Sequence, residues 1–455
     1  MINNEDMNTN VNIFERKIFD QMLRWKQERN GTTALLIQGA RRVGKSTIAE
    51  EFARKQYKSY IVVDFADAPQ SVWEAVEHIS DRDDFFMRLQ FIYNTKLIER
   101  QSVIIFDEIQ RCPAARQAIK YLVKDHRYDY IETGSLLSIK RNIQNIVIPS
   151  EETRLTMYPM DYEEFRMALG DKVTIPLLKE SFESKKSFGD SICRKLLRDF
   201  RLYMLVGGMP QAVDTYLRTN NLSEVDAVKR EIIGLYLDDF RKIDVSGKAS
   251  RLFSAIPSQL SKNVSRYRTT SVLGRNESKN EMAELLNDLE DSLTVNFAYH
   301  SNDPNVGMPL HTNYDQYKMF LADTGLFITL AFWDKSATEN TIYQKLLSDK
   351  LSADLGYVYE NIVAQMLVAK GNKLFYHTWP TESGKHNYEI DFILSRGNKV
   401  SPLEVKSSGY KTHKSLDEFS RKYSSRIGES FILYTKDYRR EGNITFLPVF
   451  MTMFL

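Results

Sequence analysis

Residues 39–46 read GARRVGKS, and this motif limits the possible folds of the chain more than any other feature. It matches the pattern G-x-x-x-x-G-K-[ST] of a phosphate-binding loop. The apolar run TALLIQGA (33–40) precedes it as a strand would, and KSTIAEEFARKQ (45–56) follows with helical periodicity. Glycines let backbone N–H groups face phosphates, and the N-terminus of a helix favours anions. We therefore expect an α/β fold in which a parallel sheet carries a strand–loop–helix nucleotide site.

The loop predicts a specific set of contacts to ATP. Lys45 would reach the β and γ phosphates, and the Ser46 hydroxyl would ligate Mg²⁺. The alternative is a chance match in a glycine-containing loop, which the flanking strand and helix disfavour. The residues expected to bind the nucleotide are Gly39, Ala40, Arg41, Arg42, Val43, Gly44, Lys45, Ser46 and Thr47.

A second motif, VIIFDE (103–108), supplies the acids that such a site needs. Asp107, at the end of a buried-type strand, would hold Mg²⁺ through water. Glu108 would act as the general base that polarises the attacking water. The alternative is an acidic strand-to-loop turn without a catalytic role. Together with the upstream loop, the motif predicts an ATP-hydrolysing site.

A further strand, SYIVVDFAD (59–67), lies in sequence between these two motifs. This order is typical of P-loop enzymes with an inserted central strand and a catalytic glutamate. The next strand ends in TGS (133–135), where the hydroxyl of Thr133 would sense the γ-phosphate. An equally good interpretation is that a hydroxyl there caps the turn into a helix.

The pattern along the chain predicts three domains. Residues 11–161 alternate short apolar strands with helices, which is typical of a parallel sheet covered on both faces. Residues 162–333 are mainly helical, and a three-helix unit followed by a strand pair suggests a winged helix. A polar linker covers 334–352, and 353–455 combine several strands with two helices in a compact α/β domain.

Composition excludes several classes of protein. There are 62 basic and 60 acidic side chains, so no overall positive field indicates nucleic acid. Two cysteines without a CxxC motif disfavour a disulfide framework or a zinc ribbon and fit a reducing cytoplasm. The polar N-terminus does not resemble a secretory signal, and no apolar run reaches the roughly 18–20 residues needed to cross a bilayer. We therefore expect a cytoplasmic protein without a membrane partner.

Several blocks together carry a resemblance to a known family. LLIQGARRVGKST, VIIFDEIQRCP, IETGSLL and LTMYPMDYEEF occur in the order and spacing found in AAA-type ATPases with a C-terminal DUF4143 region, which are relatives of the archaeal ATPase group. LYMLVGGMPQAV, KMFLADTGLF and EIDFIL…PLEVKSS fit as well, so the resemblance covers most of the chain. It implies an AAA core, a helical or winged-helix middle and a restriction-endonuclease-like end.

One segment departs from the family pattern. IPSEETRL (148–155) lacks the Gly-Arg or Gly-Lys pair that often precedes the YP segment. An arginine finger, if the chain supplies one, would then be Arg116, Arg127, Arg141 or Arg154, and the sequence does not choose among them. A finger from a neighbouring subunit in a homo-oligomer is the other possibility.

The C-terminal resemblance is to the PD-(D/E)xK nuclease fold, in which a helix acid, a strand Asp and a strand E-x-K converge on a metal. Here these are Glu360, Asp391, Glu404 and Lys406. Alternate residues of a strand share a face, so Glu404 and Lys406 point the same way. Asp391 and Glu404 would share a second Mg²⁺ or Mn²⁺ that activates water. The alternative is an exposed ion pair in a strand, without catalysis.

Two basic stretches are candidate contacts to DNA. Residues 353–455 carry 14 basic and 11 acidic side chains, and KSSGYKTHKS (406–415) places Lys411, His413 and Lys414 around Tyr410. Such a loop fits phosphate tracking. The alternative, which we favour, is a solvated loop in which Ser415 caps the next helix. KNVSRYRTT (262–270) is a similar stretch, which would contact DNA if the middle domain is a winged helix.

These features support three hypotheses. In the first, an ATPase drives or gates a DNA-acting nuclease-like module. In the second, a nucleotide-dependent switch or scaffold binds a protein partner and its nuclease-like domain no longer cuts. In the third, a metal-dependent nuclease uses ATP only to control assembly.

Overall fold

The computed structural model describes residues 12–135, 150–262, 264–274, 278–336, 343, 345, 346 and 355–455. The chain divides into two compact units, one ending at Tyr158 and one comprising Pro159–Leu455. Among the described helices, none is long and apolar enough to span a bilayer.

The first unit contains a five-stranded sheet with the order β2-β3-β4-β1-β5, and all its paired strands are parallel. β4 therefore lies between the strand before the GKS loop and the strand that ends at Asp107, which is the order of P-loop enzymes with an inserted central strand. The strand predicted at 59–67 is β2, which lies at the edge of the sheet. The elements are α1 (Ile18–Arg29), β1 (Ala34–Gln38), α2 (Lys45–Gln56), β2 (Ser59–Asp64), α3 (Gln70–Glu77), α4 (Arg82–Ile92), β3 (Ser102–Asp107), α5 (Pro113–Asp125), β4 (Asp129–Gly134) and β5 (Glu152–Thr156).

Burial explains why the central strands read as continuous apolar runs. In β3 every residue from Ser102 to Phe106 is buried, and only Asp107 at its carboxyl end is not. Parallel strands covered by helices need apolar side chains on both faces, whereas their carboxyl ends are free to present polar groups. The acidic tip of β3 and the loop after β1 are therefore neighbours at one edge of the sheet.

The second unit contains an eight-stranded mixed sheet with the order β12-β13-β11-β10-β9-β8-β6-β7. Its strands are β6 (Val295–Ser301), β7 (Thr312–Leu321), β8 (Leu374–Pro380), β9 (Asn387–Arg396), β10 (Lys399–Lys406), β11 (Ser430–Tyr434), β12 (Arg439–Glu441) and β13 (Ile444–Pro448). Its helices are α6 (Tyr162–Ala168), α7 (Thr174–Ser184), α8 (Asp190–Val206), α9 (Pro210–Thr219), α10 (Leu222–Ile243), α11 (Lys248–Ser254), α12 (Ile256–Leu260), α13 (Thr270–Leu273), α14 (Lys279–Asp291), α15 (Thr324–Ala331), α16 (Gly356–Ala369) and α17 (Lys414–Lys422).

The strand pair predicted for the middle segment belongs to this sheet. β6 pairs antiparallel with β7 and parallel with β8, the first strand after the proposed linker. Segments 162–333 and 353–455 therefore share one sheet. In a separate C-terminal domain, the edge of β8 that pairs with β6 would be unpaired. Most of the proposed linker 334–352 lies outside the described residues, and the winged-helix assignment stays a prediction.

Two helices flank the part of the sheet that carries the predicted acids. α16 packs against β6, β7, β8 and β10, and α17 packs against β9 and β10. Because side chains alternate along β9 and β10, Glu389 and Asp391 share one face, as do Glu404 and Lys406. The packing of α16 brings Glu360 to the same region.

Candidate functional site

The phosphate-binding loop adopts the backbone that its glycines permit. Gly44 has φ 98°, in the left-handed region, and α2 begins at the next residue, Lys45. A Cβ atom on Gly39 would collide with the carbonyl oxygen of Met157, so this position accepts only glycine. Among the described residues, no side chain caps the N-terminus of α2. Its first N–H groups can therefore face an anion.

Lys45 lies folded back on the loop. Its Nζ atom donates hydrogen bonds to the carbonyl oxygens of Gly39 at 3.0 Å and Ala40 at 2.9 Å. Burial lowers the pKa of Lys45 to about 8, an effect that Glu108 and Asp107 oppose. A nucleotide phosphate would be a stronger partner for this ammonium than two neutral carbonyl groups.

Three of the predicted site residues meet at one carboxylate oxygen. The Ser46 hydroxyl donates to Asp107 Oδ1 at 2.9 Å, and the Thr133 hydroxyl donates to the same oxygen. Hydroxyl and carboxylate oxygens are the ligands that Mg²⁺ prefers, so this donor set fits the predicted metal of the ATP site. The structure thus joins the GKS loop, β3 and the end of β4. The sensing role of Thr133 stays a prediction.

Glu108 lies next to this cluster in an unusual conformation. It has φ 52°, a left-handed geometry that is uncommon for a residue other than glycine, and the Gln110 side chain donates to its carboxylate. Strained backbone of this kind concentrates at functional sites. Gln110 was not predicted from the sequence, although its position two residues after the acid pair places it at the turn.

Arg16 is a second residue that the motifs did not reveal. It is buried, and its guanidinium donates to the carbonyl oxygens of Val43 at 2.8 Å and Tyr158 at 2.7 Å. It therefore fixes the backbone of the phosphate-binding loop from a position well upstream of it. Because the contact is to backbone oxygen, the sequence of the loop carries no signal for it.

The candidate arginine fingers occupy different environments. Arg116 is 1% exposed and forms ion pairs with Glu132 and Glu152 inside the unit, so it cannot extend toward a nucleotide without leaving two buried acids unpaired. Arg154 also pairs with Glu152, at 2.6 Å. Arg127 pairs with Asp83 and Asp125, each at 2.6 Å. Arg141 lies outside the described residues, so the identity of a finger stays open.

In the second unit the structure gathers the four C-terminal candidates around a cavity of about 270 Å³. Two further charged residues, Lys318 of β7 and Glu389 of β9, line it with them, and neither was predicted from the sequence. The charged residues of this acidic cavity are Lys318, Glu360, Glu389, Asp391, Glu404 and Lys406.

Most charged atoms of the acidic cavity are already paired. Lys406 Nζ lies 2.6 Å from Glu404 Oε1, and the Asp391 carboxylate accepts the backbone N–H of Val405 at 2.7 Å. Lys318 Nζ lies 3.4 Å from Glu360 Oε2 and also binds Glu389.

Burial raises the pKa of three acids in this cavity. It raises the pKa of Asp391 well above its ordinary value, and Glu360 adds to the effect. The pKa of Glu360 is raised by burial against the opposing charge of Lys318. The pKa of Glu404 is raised by burial against the opposing charge of Lys406. Additional positive charge in the cavity would therefore favour the ionised acids.

The cavity as it stands does not fit the predicted second metal. Among the described residues, no group of three or more His, Cys, Asp or Glu side chains is arranged to hold a metal ion. Lysine ammonium groups bind the acids that would have to supply the oxygens. The metal role of Asp391 and Glu404 stays a prediction.

The two basic stretches differ in their surroundings. The ring of Tyr410 packs on Tyr434 and His413 pairs with Asp417, so two members of the first stretch make contacts inside the unit. The second stretch begins beside the acidic cavity, where Val264 is a lining residue. DNA binding by either stretch stays a prediction.

The order of the parallel sheet, the loop before α2 and the acids at the end of β3 have the arrangement of a P-loop nucleotide site. Comparison with protein families agrees: residues 31–166 match the model of an AAA domain. Residues 355–451 match a domain of unknown function, DUF4143, and residues 197–337 match another, DUF8612. The expected combination of an AAA domain with a DUF4143 region is confirmed, whereas the restriction-endonuclease-like fold of the latter stays a prediction.

Solved structures show weaker likenesses. The Saccharomyces cerevisiae Hsp104–ADP complex is 13% identical (TM-score 0.26) over 62% of this chain and 38% of that one. A signal-transduction ATPase with numerous domains and a tetratricopeptide-repeat sensor from Pyrococcus horikoshii is 12% identical (TM-score 0.26) over 80% and 50%. Cdc6p from Pyrobaculum aerophilum is 12% identical (TM-score 0.25) over 74% and 94%. The chain thus spans half or less of the first two, and no curated protein matches it.

Proposed function

We propose that this protein is a Mg²⁺-dependent ATPase whose nucleotide state gates a DNA-acting, nuclease-like module. The observation that carries the ATPase part is the convergence of Ser46 and Thr133 on Asp107, beside the N-terminus of α2. The match of residues 31–166 to an AAA domain supports it.

The described side chains suggest how each group would act. Lys45 would exchange the carbonyl oxygens of Gly39 and Ala40 for the β and γ phosphates. Ser46 and Asp107 would hold Mg²⁺, which, when bound, neutralises negative charge on the phosphates. Glu108 would take a proton from the attacking water, and Thr133 would sense the γ-phosphate. Arg16 would keep the loop in place.

A second candidate function is favoured by the state of the acidic cavity. Because Lys318 and Lys406 pair with its acids, the C-terminal region has the composition of a nuclease site without a free set of metal ligands. A nucleotide-dependent switch that binds a protein partner through an inactive nuclease-like domain would have this arrangement.

The two candidates are separated by one set of assays on the full chain. ATP hydrolysis is measured with Mg²⁺ alone and with single- or double-stranded DNA added, and the DNA is checked for cleavage with Mg²⁺ and Mn²⁺. Stimulation by DNA supports the first candidate. An ATP hydrolysis rate that does not change when DNA is added, together with no DNA cleavage that depends on Glu404, supports the second candidate, a nucleotide-dependent switch.

The nucleotide site itself is tested by Lys45→Ala, with Lys55→Ala as the matched control on the same helix. Lys55 is 54% exposed and pairs with Glu51, away from the loop. We expect Lys45→Ala to lose ATP binding and Lys55→Ala to retain it. Unchanged affinity in Lys45→Ala would contradict the assignment of the loop.

A further inference from the structure

Lys318 is a buried cation among acids. It is the first residue of the block KMFLADTGLF, but that block assigns it no role at a site. It lies on β7, is 5% exposed, and projects into the acidic cavity, where its ammonium binds Glu360 and Glu389. We propose that Lys318 is the resident cation of this cavity: its ammonium takes the place of a divalent metal ion, so the cavity with Lys318 present does not bind one. This inference rests on the proposed function only in that it concerns the same nuclease-like module.

One oxygen of each acid in the cavity is already engaged by a group of the chain itself. Lys318 engages one oxygen each of Glu360 and Glu389, Lys406 engages Glu404 Oε1, and the Val405 amide engages Asp391 Oδ2. Mg²⁺ keeps several waters and needs only one or two carboxylates. The two ammonium groups therefore oppose a metal by their charge and by holding the carboxylates, and the number of oxygens is not what excludes it. The four acids are individually placed for a cation, but their nearest cations are ammonium groups of the chain itself.

One carboxylate oxygen of the acidic cavity is left without a partner by these contacts. Glu404 is 6% exposed, and its Oε2 atom, in the part of the chain that the structure describes, has no hydrogen-bond partner. A buried carboxylate oxygen without a partner is costly. Glu404 and Asp391 line the same cavity, so this oxygen is the one that we expect a metal ion to engage if the charge of Lys318 is removed.

A tethered ammonium has two advantages over a metal ion from solution. It is held at the site by β7 and loses no translational freedom on binding. The apolar side chains of Leu260 and Val264 also line the cavity, and they limit water access to the ion pairs. The backbone N–H of Tyr267 donates to the carbonyl of Tyr317 at 2.7 Å, which fastens this covering segment beside Lys318.

The test is Mn²⁺ binding to nucleotide-free, full-length protein, followed by electron paramagnetic resonance. The variants are Lys318→Met, which removes the charge and keeps the length, and Lys318→Arg, which keeps the charge. Glu404→Gln is made alone and together with Lys318→Met, so that binding that depends on Glu404 can be measured in both backgrounds. We expect the wild type and Lys318→Arg to show no Mn²⁺ that depends on Glu404. Lys318→Met should gain such a site, with an affinity for Mn²⁺ at least about tenfold above that of the wild type, because one positive charge leaves a group of four partly or fully buried acids.

Two results would overturn the proposal. One is Glu404-dependent Mn²⁺ binding by the wild type that is as tight as binding by Lys318→Met. The other is a folded Lys318→Met protein that gains no Mn²⁺ site. If Lys318→Met does not fold, Lys318→Gln replaces it. If neither variant folds, the Mn²⁺ titration of the wild type decides, and Glu404-dependent binding there would overturn the proposal. A failure of ATP hydrolysis would contradict the proposed function and would leave this titration unaffected.

Discussion

At the scale of single residues, Asp107 and Lys318 organise the two candidate sites in opposite ways. Asp107 is a carboxylate that accepts hydrogen bonds from the hydroxyl groups of two other segments, and together they form the donor set proposed for Mg²⁺. Lys318 is an ammonium that occupies carboxylates and removes them from metal binding. The sign of the central charge therefore decides which site is open to a divalent cation.

Glu108 carries the first prediction at this scale. Glu108→Gln keeps the shape of the side chain and removes its basicity, so ATP should still bind while hydrolysis falls about 100-fold or more. Retained radiolabelled ATP, separated from ADP after rapid filtration, measures the effect. Lys45→Ala serves as the non-binding control, and normal turnover in Glu108→Gln would exclude Glu108 as the base.

His377 predicts a pH dependence of stability. Its Nδ1 and Nε2 atoms bind the Ser301 carbonyl at 2.7 Å and the Tyr423 hydroxyl at 3.1 Å, and burial lowers its pKa from 6.5 to about 4. Between these two pH values, His377 is therefore protonated in the unfolded chain and neutral in the folded chain. Stability is fully present above pH 6.5 and is lost as the pH falls toward 4, by about 3 kcal/mol.

Urea unfolding at about pH 7.5 and about pH 4.5 checks this expectation. His377→Gln should lose less stability on acidification than the wild type, because the titrating group is gone. The exposed His386 provides the control, since His386→Gln should leave the pH dependence unchanged. Equal acid sensitivity of His377→Gln and the wild type would contradict the prediction.

At the scale of elements, α15 depends on one buried acid at its N-terminus. Asp323 accepts the N–H of Leu326 at 2.8 Å and the N–H of Gly208, from the loop after α8, at 2.5 Å. A Cβ atom on Gly207 would lie 2.5 Å from Asp323 Oδ1, which explains the glycine there. The acid therefore caps one helix and fixes the turn that ends another.

Removing this acid should destabilise the second unit. Asp323→Ala loses a helix cap and leaves a buried N–H without a partner, at a cost of about 2–4 kcal/mol. Asp323→Asn retains one acceptor oxygen and should cost less than half as much. The free energy of unfolding, measured with urea, ranks the three proteins, and equal stability of Asp323→Ala and Asp323→Asn would argue against the cap.

At the scale of the whole molecule, the eight-stranded sheet crosses the boundary that the sequence pattern suggested. β6 and β7 come from the segment 162–333, and β8 to β13 come from 353–455. Lys318, on β7, completes a cavity whose acids all come from the later segment. The C-terminal region is thus not self-sufficient in this fold.

Fragments of the chain test this point. A fragment of residues 159–455 contains the complete sheet and should unfold cooperatively. A fragment of residues 353–455 exposes the edge of β8 that β6 covers, so we expect it to aggregate or remain unfolded. Circular dichroism and size-exclusion chromatography distinguish these outcomes. A monomeric, cooperatively folded 353–455 fragment would show that the two added strands are dispensable.

The sequence by itself predicted the candidate nucleotide site, because the motifs that form it are local. The loop 39–46 must follow a strand and open a helix to work, and Asp107 and Glu108 must end a buried strand, so neighbouring residues specify the geometry. The C-terminal acids were also identified, since the alternation of side chains in strands put them on shared faces.

Only the tertiary structure decided what surrounds these groups. Arg16 reaches the phosphate-binding loop, and Lys318 enters the acidic cavity, from positions distant in sequence. Arg16 binds a backbone carbonyl group, and Lys318 pairs with acids on other elements. The residue type of a single Arg or Lys does not predict such a contact. Long-range packing sets the position of a buried charge, and that position determines whether an acidic group is open to a metal or already neutralised.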